Sequence, residues 1–142
     1  MNKLMLTALL ILFVFFSQAQ SNLFTTKDSL EAYCDKLMQL LSERKFSEGV
    51  QMFTKRSVMD TSTINTIDKN LVDQMVGLQR YYKKIVGYEF LEDKTIKNSV
   101  IRRRYLLKFE NYFLTFDFML YNNNSGWTVT NFYYYDNAKE LF

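Results

Sequence analysis

The sequence predicts an α+β domain: N-terminal helices packed on one face of a curved four-stranded antiparallel meander. Two observations carry this. Up to Gly87 the apolar residues recur at helical spacing, and beyond Gly87 they alternate with a period of two. The alternating half is cut only by short polar breaks, which connect antiparallel neighbours.

The chain has 142 residues and opens with MNKLMLTALLILFVFFSQAQ. Lys3 supplies a basic start, Leu4 to Phe16 an apolar run, and Ser17 and Ala19 the small residues before a cut at Gln20. These are the parts of a signal peptide, and the apolar run is short for a spanning helix, which needs roughly 20 residues. The expected organisation is a signal peptide over 1–19 and a single domain over 20–142, in a periplasmic or secreted protein with no stable membrane anchor after cleavage. Cys34 is the one cysteine. It sits too far from the cut for a lipoprotein and has no partner for an internal disulfide, so the core alone must hold the fold.

The first helix is expected from Lys27 to Glu43, with Thr26 as N-cap and Leu30, Tyr33, Leu37, Leu40 and Leu41 on its apolar stripe. Cys34 beside them reads as a small core residue. A short helix fits Phe46 to Phe53. Polar Lys55 to Asn65 reads as a loop. The third helix follows from Ile64, Ile67, Leu71, Met75, Leu78, Tyr82 and Ile85, with Gly87 as its C-terminal stop.

Four strands follow: Tyr88–Ile96, Val100–Phe109, Tyr112–Tyr121 and Trp127–Asp136. A two-residue turn at Glu110-Asn111 sets Leu107 opposite Leu114, Tyr105 opposite Phe116, Arg103 opposite Phe118 and Arg104 opposite Asp117. A tight turn at Asn98-Ser99 would set Leu91 opposite Leu106, Asp93 opposite Arg104 and Glu89 opposite Lys108. Both turns then place opposite charges around Arg104.

Three helices followed by a meander, ending in LTFDFMLYNNNSGWTVTNFYYYDN, resemble small secreted bacterial members of the nuclear-transport-factor-two-like superfamily. In these an aromatic strand, a Gly-Trp turn and a closing aromatic-Asp strand recur. The resemblance covers about Leu30 to Phe142 and implies a cone-shaped fold whose helices and sheet enclose a pocket. Some members are isomerases or dehydratases, while many only bind. A cystatin-like helix-on-sheet arrangement is the neighbouring structural possibility.

Composition narrows the chemistry. With no histidine, the usual neutral-pH proton shuttle and the commonest metal ligand are both missing. No serine-hydrolase elbow, zinc-protease, paired-cysteine, phosphate-loop or dinucleotide motif occurs. No cofactor or metal is expected. A formal charge of +3 is too small a field to argue for nucleic acid. In a strand the IRRRY run at Ile101–Tyr105 splits its arginines between faces.

Two binding readings remain, with an enzyme as the alternative. The first is a small ligand in a conical pocket lined by Arg103, Tyr105, Phe118 and Tyr82. Here Arg103, misplaced on an apolar face, either sends its head to the sheet edge and the helix carbonyls or receives an anion. The second is a homodimer or protein partner on the open sheet face through Leu106, Phe113, Met119, Tyr121, Tyr133 and Tyr135, because the helices can cover only one side. The alternative is an isomerase- or hydrolase-like pocket enzyme using Asp or Tyr without His. Asp117 is its nearest acid, although the register sends Asp117 to the opposite face beside Arg104.

Overall fold

A computed structural model describes residues 23–141; the side chain of Glu140 lies outside the description. The expected signal peptide over 1–19 and the start of the mature domain also fall outside the described residues. The elements run α1 (Lys27–Ser42), α2 (Phe46–Thr54), α3 (Thr61–Tyr82), β1 (Ile85–Ile96), β2 (Val100–Phe109), β3 (Phe113–Asn122), β4 (Trp127–Tyr135) and a closing 3₁₀ turn (Ala138–Leu141). The strands form one antiparallel sheet in the order β1-β2-β3-β4. The α+β class and the helices-then-meander order are therefore as the periodicity predicts.

Helices α1 and α3 begin where a side chain satisfies free N–H groups of the first turn. The Thr26 hydroxyl accepts from the Ser29 N–H, and the Asp60 carboxylate accepts from the Thr63 N–H at 3.0 Å. The second cap corrects the expected loop over Lys55–Asn65. Asp60 starts α3 at Thr61, so polar Thr61, Ser62 and Thr63 form its first turn. At its other end α3 stops at Tyr82 rather than at Gly87, because Lys83 turns the chain with φ of 68°. Gly87 instead lies inside β1 with φ of 148°, at an irregularity between Ile85 and Gly87. Ile85 extends the helical spacing of α3, yet it belongs to the strand.

The core lies between the helices and one sheet face. Leu30, Cys34, Leu37 and Met38 of α1, Phe53 of α2 and Leu71 and Met75 of α3 meet Tyr105, Leu107, Phe116, Phe118 and Leu120. Every one of these is buried. Burial works to raise the Cys34 thiol well above its ordinary pKa, which fits a core residue rather than a reactive thiol.

The β2–β3 register is the predicted one throughout, from Lys108 opposite Phe113 to Val100 opposite Tyr121. The two N–H groups of its turn are held by the α3–β1 junction: Glu110 donates to the Lys84 carbonyl at 3.0 Å and Asn111 to the Tyr82 carbonyl at 3.2 Å. The β1–β2 register differs from expectation. The turn takes three residues, Lys97 to Ser99, with Ile96 opposite Val100, and a bulge falls between Phe90 and Glu92. Glu89 therefore faces Leu106, Glu92 faces Arg104 and Asp93 faces Arg103. One extra residue in a turn transfers every side chain to the other face until a bulge restores the phase. Leu91 is that bulged residue. A second irregularity between Met119 and Leu120 shifts β4 by one at Thr130.

Candidate functional site

Adjacent Arg103 and Arg104 point to opposite faces of β2, and each is enclosed by a separate set of partners. Arg103 is 6% exposed on the helix-covered face. Its Nη1 lies 2.9 Å from Asp93 and 3.3 Å from Glu31, and its Nη2 3.7 Å from Asp35. Its Nε donates to the Tyr105 hydroxyl at 2.6 Å, and that hydroxyl donates in turn to Asp35. The guanidinium also stacks over the Phe90 ring, 4.2 Å from its centroid. Lys27 bridges Glu31 and Asp93 at 3.0 and 3.5 Å.

This arrangement corrects the expected environment of Arg103. Its partners are carboxylates of α1 and β1 rather than helix carbonyls at a sheet edge, and those acids already occupy the directions from which an anion would be bound. It also reassigns Asp93, which pairs with Arg103 and not with Arg104. Lys27, Glu31 and Asp35 stand one turn apart along α1. That charged stripe beside the apolar one was the available sequence signal, and it was missed.

The four residues expected to line a ligand pocket do not surround a common space. Tyr105 and Phe118 are core residues whose rings meet edge-to-face at 5.8 Å. Tyr82 lies at the other end of the sheet, stacked on Tyr112 at 4.8 Å and edge-on to Phe109. Phe118, with Leu37, Leu41, Val50, Phe53 and Leu71, lines a void of about 20 Å³, room for one water molecule.

The open sheet face is organised in rows that the register defines. Ile96, Val100 and Tyr121 form one; Lys94, Arg102, Met119 and Asn131 the next; then Glu92, Arg104, Asp117 and Tyr133; then Glu89, Leu106, Thr115 and Tyr135. Phe113 opposite Lys108 closes the series. All six expected contact residues thus share this face. Tyr121 and Tyr133 are 44% and 53% exposed and Ile96 68%, while Leu106, Phe113, Met119 and Tyr135 are half-buried.

Arg104 and Asp117 lie at the centre of this face. Arg104 Nε and Nη2 bind the two carboxylate oxygens of Asp117 at 2.7 and 2.8 Å, a bidentate fork. The Tyr135 hydroxyl accepts from Arg104 Nη2 and donates to Asp117 Oδ2, both at 2.7 Å. Burial works to raise the Asp117 carboxyl, but Arg104 and then Tyr135 outweigh it and hold the carboxyl below its ordinary pKa. The Arg104–Asp117 pair is the cross-strand contact that the register predicts, but it is not open to solvent. It is buried, with Arg104 2% and Asp117 5% exposed.

Among the described residues no group of His, Cys, Asp and Glu has the arrangement to hold a metal ion, and no helix is long and apolar enough to cross a membrane. No protein-family model, curated protein or solved structure matches the chain. Its own geometry therefore carries the functional reading.

Proposed function

We propose that the chain is an exported, non-catalytic binding module whose contact surface is the open face of its sheet, taken up by a second copy or by a protein partner. The carrying observation is the pattern on that face: a fixed Arg104–Asp117–Tyr135 triad surrounded by exposed and half-exposed rings. A protein contact is built this way, with amphipathic tyrosines supplying the touching surface while the buried Arg104–Asp117 pair beneath them holds the strands rigid. The triad's groups are already paired, so docking would not leave an uncompensated charge.

The face carries both signs of charge. Lys94, Arg102 and Lys108 lie among Glu89 and Glu92, with Lys108 3.1 Å from Glu89 and Lys94 3.2 Å from Glu92. A second copy stacked on this face is therefore not repelled outright. The small-ligand reading lacks a comparable feature, since its lining residues are packed against protein.

The test is sedimentation of the purified mature protein at high micromolar concentration, with pull-down from the producing cells. Wild type is expected as a dimer or with a retained partner. Tyr121→Glu and Tyr133→Glu are expected to abolish the association while leaving the circular dichroism unchanged. A monomer without a partner, or an association that survives both substitutions, overturns the proposal.

A further inference from the structure

Beyond the sheet face, β4 offers a second site along its outer edge. Near its start that edge is already used by the chain itself. Phe24 exchanges two hydrogen bonds with Trp127, at 2.7 and 2.8 Å, and Ser57 bridges Val129. The outward-pointing main-chain groups are thus those of Trp127 and Val129, and the irregularity at Thr130 moves the outward phase to Phe132 and Tyr134. The Phe132 N–H is taken by the Asn131 side chain at 2.8 Å. Among the described residues no bridge covers the edge from Phe132 onward.

Beside this stretch runs a groove whose other wall is α3. One part, about 490 Å³, lies among Gly77, Leu78, Leu114 and Asp136, and the next, about 240 Å³, among Ile67, Asn70 and Phe132. Gln74 and Tyr134 line both parts. They join across the groove, the Tyr134 hydroxyl donating to Gln74 at 2.7 Å. Gly77 is the anomaly. It lies in the interior of α3, where glycine costs stability, yet a Cβ there would meet nothing within 4 Å. No close approach among the described residues requires it. Its effect is to leave the groove wall low.

We propose that this groove binds an extended peptide as a fifth strand on β4. An unpaired edge strand beside a helix recognises peptides through main-chain bonds, with alternate side chains read by the groove. The Phe132 carbonyl and the Tyr134 N–H and carbonyl supply the main-chain bonds. The peptide residue opposite Tyr134 lies on the α3 side, where it displaces Gln74 from the Tyr134 hydroxyl and packs on the wall beside Gly77 and Leu78, and so is apolar. Two residues along, the next inward side chain meets exposed Asp136, the charged member of the lining, and so is Lys or Arg. The ligand class is an extended peptide with an apolar residue spaced two from a basic one. A second copy fits less well, since its own α3 stands beside the same edge and would meet this α3.

The experiment pans a phage-displayed random dodecapeptide library on the mature protein and measures synthetic peptides from the enriched clones by calorimetry. Enriched sequences should carry the apolar-x-basic spacing. Gly77→Leu, which favours the helix and fills the groove, should weaken them about thirty-fold, as for loss of a central contact. Asp136→Asn should weaken only peptides that contain the basic residue, and Tyr121→Glu on the sheet face should leave binding unchanged. No enrichment overturns the proposal, as do peptides that bind Gly77→Leu as tightly as wild type. Sensitivity to Tyr121→Glu would move the site to the sheet face and overturn it as well. A dimer broken by Gly77→Leu but not by Tyr121→Glu would give the edge to a second copy and refute the peptide.

Discussion

Replacing Arg103 by methionine keeps most of the aliphatic volume and removes the charge. Five interactions go with it: the pairs with Asp93, Glu31 and Asp35 at 2.9, 3.3 and 3.7 Å, the bond to the Tyr105 hydroxyl at 2.6 Å and the stacking on Phe90 at 4.2 Å. Removing one partner of a buried ion pair costs about 3–5 kcal/mol, because the other charge is left uncompensated. Here the lower end applies. Asp93 keeps Lys27 at 3.5 Å, and the side chains of Glu31 and Asp35, 26% and 49% exposed, still reach water. The expected loss is about 3 kcal/mol, a large share of the roughly 5–15 kcal/mol that holds an ordinary domain. Urea unfolding followed by circular dichroism reads it directly. Asp93→Asn should cost less, and the double variant should cost clearly less than the sum of the singles, since both break one network. A loss below about 1 kcal/mol for Arg103→Met, or strict additivity, would show that the network does not hold α1 to the sheet.

Three further outcomes follow from the geometry. The Asp117 carboxyl lies below its ordinary pKa in the folded chain, so its contribution is present above the unfolded value of about 4 and is lost as pH falls through the folded one. Urea midpoints between pH 5 and pH 3 should therefore fall more steeply for wild type than for Asp117→Asn, and equal slopes would contradict the pairing with Arg104. Cys34, buried with its thiol pKa raised, should stay unlabelled by a thiol reagent in native buffer and react fully in denaturant; labelling at native rates would place it at the surface. Gly126→Ala should destabilise the domain by about 1–3 kcal/mol, because its Cβ would stand 2.9 Å from the Phe24 carbonyl oxygen. An unchanged thermal midpoint would contradict that close approach.

The second hairpin was legible because two kinds of information agreed. The apolar alternation and the Arg104–Asp117 pair select the same register, and a two-residue turn leaves no slack. The first hairpin offered a false match of the same kind. Setting Asp93 opposite Arg104 looked right only because the bulge at Leu91 and the longer turn at Lys97–Ser99 were both hidden. Bulges leave no mark in a strand that is charged on both faces. Gly87 was misread for a related reason: a glycine after a helical run reads as a stop, while Lys83 took the left-handed position. Leu106, Phe113, Met119, Tyr121, Tyr133 and Tyr135 share one sheet face because a strand's period fixes the face locally. The partners of Arg103 were not legible, because Glu31 and Asp35 come from a helix about 70 residues away in sequence, and only packing brings them to β2.

The most direct measurement is site-specific photocross-linking in purified protein and in the producing cells. The cross-linking residue replaces Tyr133 on the open face, with a control at Ser62 on the exposed side of α3. A discrete product from position 133, either a dimer or one defined heterologous adduct, with none from position 62, is the predicted result. No product from position 133, or the same products from both positions, would contradict the claim that the open sheet face is the contact surface.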